Sequence, residues 1–189
     1  MFFTIHEMFD IIVMSLAVGF IFSDLASRFK PQKDPLLDLS KGYLNWDDLK
    51  FSVLATAPAV LFHELSHKFL ALGYGMQATF NAAYGWLGLG VILKLLKFPF
   101  IFFVPAYISI SGNGTPLQHA LIAVAGPAMN GFLWLLSFLF LKSRTFKRKY
   151  DGLLFLTGKI NMFLFIFNLL PIPGFDGFTF YTRLFAAFS

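Results

Sequence analysis

Four long apolar stretches, at about 8–27, 49–72, 117–141 and 153–172, constrain this chain more than any other feature, because each approaches the ~20 residues an α-helix needs to cross a bilayer's hydrocarbon core. With 57% hydrophobic residues, 13% charged residues and a mean hydropathy of +0.70, too little polar surface remains for a water-soluble fold. The 27 phenylalanines suit faces turned to lipid better than a small aqueous core. These features predict an all-α membrane protein with about four transmembrane helices, forming a single membrane-embedded domain over residues 1–189.

The segments between the stretches differ in character. Residues 28–48, with Pro31, Pro35 and alternating Lys and Asp, read as a polar loop, and Asp47 or Asp48 can cap the second helix. KSRTFKRKYD at 142–151 reads as a tight basic turn. The stretch from about 78 to 110 is apolar but broken by Gly85, Gly88, Gly90, Lys94, Lys97, Pro99 and Pro105, and its β-rich end FIFFVPAYISI favours a short helix or a hairpin that dips into the bilayer. Non-helical backbone at that depth needs protein or water beside it, so this re-entrant segment is expected to line a site. No Lys or Arg precedes the first apolar run, which argues against a cleavable signal and for a retained helix.

Charge and cysteine content narrow the chemistry. The formal charge of +5 is carried by residues crowded between apolar runs, without the basic, aromatic-interleaved face that nucleic acid requires, so no nucleic-acid partner is expected. There are no cysteines, so a transition metal can be held only by His, Asp or Glu.

Within the second apolar stretch lies His63-Glu64-Leu65-Ser66-His67, an HExxH pattern. Residues four apart share a helix face, so both imidazoles can bind one Zn²⁺ while Glu64 stands beside it as general base. Such matches arise by chance in soluble sequences, but ionisable residues inside a membrane helix are costly and mark functional sites. A hydrolytic zinc site takes three protein ligands, and the candidate third is Asp176, in NLLPIPGFDG at 168–177, where prolines break a helix before a carboxylate. The plainer reading of Asp176 is a cap in a helix-terminating turn.

Counting crossings separates the two. If 78–110 returns to the side it left, His67 and Asp176 reach the same membrane face. If it crosses once, they lie on the order of 30 Å apart and cannot share an ion.

HExxH in one membrane helix, followed by Asn168-x-x-Pro171 and Asp176-Gly177, resembles the site-2 protease family of intramembrane zinc metalloproteases, and Gly126-Pro127-Ala128-Met129-Asn130 is similar to that family's GPxxN stretch. The motifs stand in family order over roughly 60–180. The resemblance implies His63, His67 and Asp176 as zinc ligands, Glu64 as catalytic residue, and a partner that is the transmembrane segment of another protein. It also implies that Asn168 binds the substrate strand or the developing oxyanion. Asp176-Gly177-Phe178-Thr179 departs from the family's Asp-Gly-Gly-Arg, and no insert is long enough for a PDZ domain, which bears on substrate choice rather than on the zinc chemistry.

Other residues carry weaker expectations. Asn130 can contact substrate, orient a ligand or hydrogen-bond a neighbouring helix, and close helix packing through Gly126, Ala128 and Gly131 is the equal alternative. His119 and His6 read as interfacial, Lys68 as a side chain that snorkels to the headgroups, and Pro58 as a kink or a tolerated membrane proline. Two rival functions stay open, a membrane metal-binding or transport protein and a catalytically inactive relative that binds membrane helices. Orientation also stays open: ten of the 15 Lys and Arg lie in 28–50 and 142–149, which the positive-inside rule would make cytoplasmic, whereas the resemblance implies the reverse.

Overall fold

The computed structural model describes residues 3–30, 45–98 and 104–189. Pro31, Pro35 and Pro99 of the sequence reading lie outside them. The elements run α1 (Ile5–Ser27), α2 (Trp46–Gly73), β1 (Gln77–Ala82), α3 (Tyr84–Leu95), β2 (Ala106–Ser111), α4 (Pro116–Ser143), α5 (Asp151–Asn168) and α6 (Asp176–Phe188), with a 3₁₀ turn at Arg148–Tyr150 before α5.

The chain is a predominantly helical membrane protein. Among the described residues, three helical segments, Ile5–Ser27, Pro116–Ser143 and Arg148–Asn168, are long and apolar enough to cross a bilayer. Helix α2 matches them in length with 28 residues but is less apolar, because His63, Glu64, His67 and Lys68 lie inside it. It runs unbroken through Pro58. Its cap is Asn45, whose side chain accepts from the Asp47 and Asp48 amides, and not either aspartate as the sequence reading had it. Asp47 and Asp48 occupy the first turn, where they complement the helix dipole. At the other end of the chain, the fourth apolar stretch stops being helical at Asn168, and a helix absent from the sequence reading, α6, begins at Asp176.

Contacts between helices fix their directions. Ala59 and His63 of α2 meet Asn130 of α4, while His67 meets Ile122, so these helices are antiparallel. Helix α5 passes Ala55 with Thr157 and Asn130 with Asn161, so it runs parallel to α2. The end bearing Phe29 and Lys30 lies against the start of α5 and of α2: Phe29 packs on Phe155 at 5.8 Å, and Lys30 pairs with Asp48 at 2.8 Å.

Between α2 and α4, the chain makes an antiparallel ribbon of β1 and β2 with α3 inserted between the strands. The segment expected to be either a helix or a hairpin is therefore both. Gln77 pairs with Ser111 and Ala82 with Ala106, so the ends of the excursion lie side by side and the chain returns to where it left α2. Phe80, Ala82, Ala106 and Ile108 on one face of the ribbon pack against Met14, Val18 and Val60. The opposite face carries Thr79, Asn81, Tyr107 and Ser109, as the two-residue period of a strand requires.

Lys68 does not snorkel. It is 1% exposed, pairs with the buried Glu7 carboxylate of α1, and lies 4.5 Å from the Phe3 ring. A buried partner that satisfies the ammonium removes the reason to reach the headgroups.

Candidate metal centre

His63 and His67 project from one face of α2, and their Nε2 atoms lie 3.1 Å apart. Asp176 Oδ2 stands 3.0 Å from His63 Nε2 and 3.4 Å from His67 Nε2. Three ligand atoms thus surround one point, although Asp176 is more than a hundred residues from the histidines in sequence. Glu64 borders the same space.

The far side of each imidazole is already engaged. His63 Nδ1 lies 2.6 Å from Asn130 Oδ1, and His67 Nδ1 lies 2.7 Å from the Ile122 carbonyl. The Asn130 amide nitrogen donates to Ala59 O at 3.0 Å and to Asn161 Oδ1 at 2.9 Å, and Asn161 in turn donates to Thr157 O at 2.8 Å. Both donors of Asn130 are therefore committed, which leaves its oxygen facing His63 and makes His63 Nδ1 the protonated nitrogen. The Ile122 carbonyl, which can only accept, does the same for His67. Both Nε2 lone pairs then point at the Asp176 carboxylate. Three acceptors converging without a donor among them repel one another, whereas a divalent cation among them satisfies all three. Two imidazoles and a carboxylate with both outer nitrogens hydrogen-bonded are the donor set that zinc takes.

Space for the ion is kept open by a glycine. A Cβ on Gly126 of α4 would stand 2.3 Å from His67 Nε2 and 2.7 Å from His63 Nε2, in the volume the ligands face. Asp176 is placed by a second one. Gly177 lies so close to the end of α5 that a Cβ would meet the Leu169 carbonyl oxygen at 2.5 Å and the Leu170 carbonyl oxygen at 2.6 Å. The turn into α6 passes through Gly174 at φ +97°, a conformation favourable only to glycine. The PIPGFDG stretch thus turns the chain so that α6 packs against α4 and delivers its first residue to the histidines.

The centre opens on a cavity of about 690 Å³. Its walls include His63, Glu64 and His67 of α2, Val104, Ala106, Ile108 and Ile110 on and before β2, Phe163 and Asn168 of α5, and Val18 and Phe22 of α1. Asn168 is on this wall, and so is His119. Asn130 is not: it is 0% exposed and lies behind His63. His6 is not on the wall and stands 3.6 Å from Asp10. Asn161, also 0% exposed, is a participant that the sequence reading missed. Its signal was an amide one turn after Thr157 in the middle of a mostly apolar helix.

The ribbon shows the cavity its backbone. The Phe80 and Ala82 amides bond to side chains of α1, so they point away from β2. In an antiparallel pair, the residues opposite them, Ile108 and Ala106, must also turn their backbone groups outward, at the other edge of the ribbon. That edge of β2 carries no further strand among the described residues, and Ala106, Ile108 and Ile110 border the cavity.

No family model and no solved structure matches the chain. A curated protein of Methanocaldococcus jannaschii, named "putative zinc metalloprotease", is 36% identical to it over 182 residues, covering 93% of this chain and 83% of that protein. With that extent of identity and this donor set, the chain belongs to the zinc metalloprotease family of that relative.

Proposed function

We propose that this protein is an intramembrane zinc metalloprotease of the site-2 type, a multi-pass protein of the cell membrane that hydrolyses a peptide bond in or near the transmembrane segment of another protein. The observation that carries the reading is the convergence of His63, His67 and Asp176 inside a bundle whose helices are apolar enough to cross a bilayer. The three residues hold the metal, and Asn130 and the Ile122 carbonyl hold the two imidazoles in the tautomer that leaves Nε2 free. Zinc held there would supply Lewis acidity, which polarises a carbonyl and makes the proton of the attacking water easier for a base to remove.

Glu64 is the general base. Its carboxylate borders the cavity one residue from His63, where it takes a proton from the attacking water and passes it to the departing amine nitrogen. A membrane-spanning substrate hides its carbonyls in intrahelical hydrogen bonds, so it must unwind before attack. The open edge of β2 offers the unwound strand backbone partners at Ala106 and Ile108, and Asn168 offers an amide to the strand or to the developing oxyanion.

The reading is tested with the Glu64→Gln protein in detergent or liposomes beside wild type. Wild type is expected to cut a transmembrane model substrate and to stop on chelation. Glu64→Gln should keep its zinc and lose about 10²–10⁴-fold in rate. Full-rate cleavage by Glu64→Gln contradicts the mechanism, and zinc binding by a wild type that cuts nothing favours a metal carrier or an inactive helix-binding relative.

A further inference from the structure

One edge of the β-ribbon faces the cavity, and the other is held by α1 through two acidic side chains one helical turn apart. Glu7 Oε1 accepts from the Phe80 amide at 2.7 Å and from Lys68 Nζ, and its other oxygen accepts from the Thr4 amide at 2.8 Å. Asp10 Oδ2 accepts from the Ala82 amide at 3.0 Å, and its Oδ1 accepts from the Tyr84 hydroxyl at 2.5 Å. Glu7 and Asp10 are 2% and 0% exposed. The acidic pair occupies the positions a neighbouring strand's carbonyls would take, spaced to the alternate amides of β1. Strand addition at that edge is thereby blocked.

Lys68 makes this more than an edge cover. It follows His67 directly in α2, and the ammonium that pairs with Glu7 ties the ligand-bearing turn to the carboxylate that holds Phe80. Phe80 lies opposite Ile108, whose backbone faces the cavity. From the metal ligands to the open edge of β2 there is therefore one short chain of contacts: His67, Lys68, Glu7, Phe80, Ile108.

We propose that the Lys68–Glu7 pair, assisted by Asp10 and Tyr84, is a register clamp that fixes the height of the β-ribbon against the zinc-ligand turn and so selects which peptide bond of a strand added to β2 comes to Glu64. This inference rests on the proteolytic function proposed above and assigns to these four residues a positioning role. None of them touches substrate. Residues in a strand follow one another at about 3.4 Å, so movement of the ribbon by even part of that distance presents a neighbouring bond or none in good geometry. A misplacement of about 1 Å can cost on the order of 10²-fold in rate.

The test compares two double variants, with zinc content, cleavage rate and cleavage position measured by mass spectrometry on one transmembrane substrate. Glu7→Leu with Lys68→Met removes both charges together, leaving no unpaired ion to unfold the protein, and removes the acceptor for the Phe80 amide. Glu7→Gln with Lys68→Met also removes the charges but restores that acceptor.

The clamp predicts that both variants bind zinc like wild type and cut at bonds flanking the wild-type one, because both have lost the tie to the ligand-bearing turn, the first on the order of 10²-fold more slowly and the second with a smaller loss of rate because the Phe80 amide keeps its acceptor. If the first variant does not fold, Tyr84→Phe, which loses only the outer hydrogen bond, is expected to yield a minor flanking product. Cleavage at the wild-type bond alone, at a rate within about threefold of wild type, in the apolar double variant or with no flanking product in Tyr84→Phe when the former does not fold, overturns the clamp and leaves the protease reading intact. A wild type that cuts no transmembrane substrate overturns the intramembrane-protease reading on which the clamp rests, and the clamp with it.

Discussion

Two polar clusters are buried among the apolar helices, and they are built in opposite ways. Behind His63 the groups are neutral: Asn130, Asn161 and the carbonyls of Ala59 and Thr157. Behind Lys68 they are charged: the ammonium, Glu7 and Asp10, with backbone amides as further donors. In both, the hydrogen bonds close, and Ser52 Oγ is the buried side-chain atom without a partner among the described residues. Neutral amides cost less to bury than ions, and each has a donor end and an acceptor end, so the first cluster can dictate which nitrogen of His63 carries the proton. A charge pair has no such direction. It is strong only while both members are present, which suits the second cluster to joining elements rather than tuning a ligand.

If that division of labour is right, breaking the two clusters must fail differently. The largest effect on stability is expected for Lys68→Met alone, which strands the Glu7 carboxylate in the interior and should cost about 3–5 kcal/mol. Unfolding measured in detergent is the check, and zinc bound per folded chain should hardly change. Asn130→Ala comes next, with about 1–3 kcal/mol lost because the Asn161 oxygen and the Ala59 carbonyl lose their donor. Its distinguishing effect is on the metal, since His63 is released from its tautomer and zinc affinity should fall about 10–100-fold by competition with a chelator. The smallest effect is expected for Asn161→Ala, one step further from the ligand. About 1 kcal/mol of stability and less than about tenfold in zinc affinity should be lost, because Asn130 keeps its bond to Ala59. Equal loss of zinc affinity in Lys68→Met and Asn130→Ala would erase the distinction between the clusters.

What could be read from the sequence followed the range of the interaction. The HExxH pair was legible because a helix brings residues four apart onto one face whatever surrounds it. Asp176 was legible at long range through its Asp-Gly motif and the crossing argument, and the pairing of Gln77 with Ser111 agrees with the return that argument needs. Helix α6 was not foreseen, because the prolines and glycines from 171 to 177 dominate its approach and its helical repeat begins only at Asp176 itself. β1 was hidden by its brevity: Ala78, Phe80 and Ala82 alternate over six residues, too few to outweigh the apolar background. Lys68 was misread because its partner is 61 residues away on a different helix, and pattern along a single helix carries no record of such a neighbour.

The central claim is that two imidazoles of α2 and the carboxylate opening α6 hold one zinc ion within the membrane bundle. Its most direct test is zinc content, measured by elemental analysis, in wild type and Asp176→Ala purified side by side and exchanged against a mild chelator. One zinc ion per wild-type chain and near-complete loss in Asp176→Ala, with folding retained, is the predicted result. Equal zinc in the two proteins would contradict the claim, leaving Asp176 as no more than the first residue of a helix.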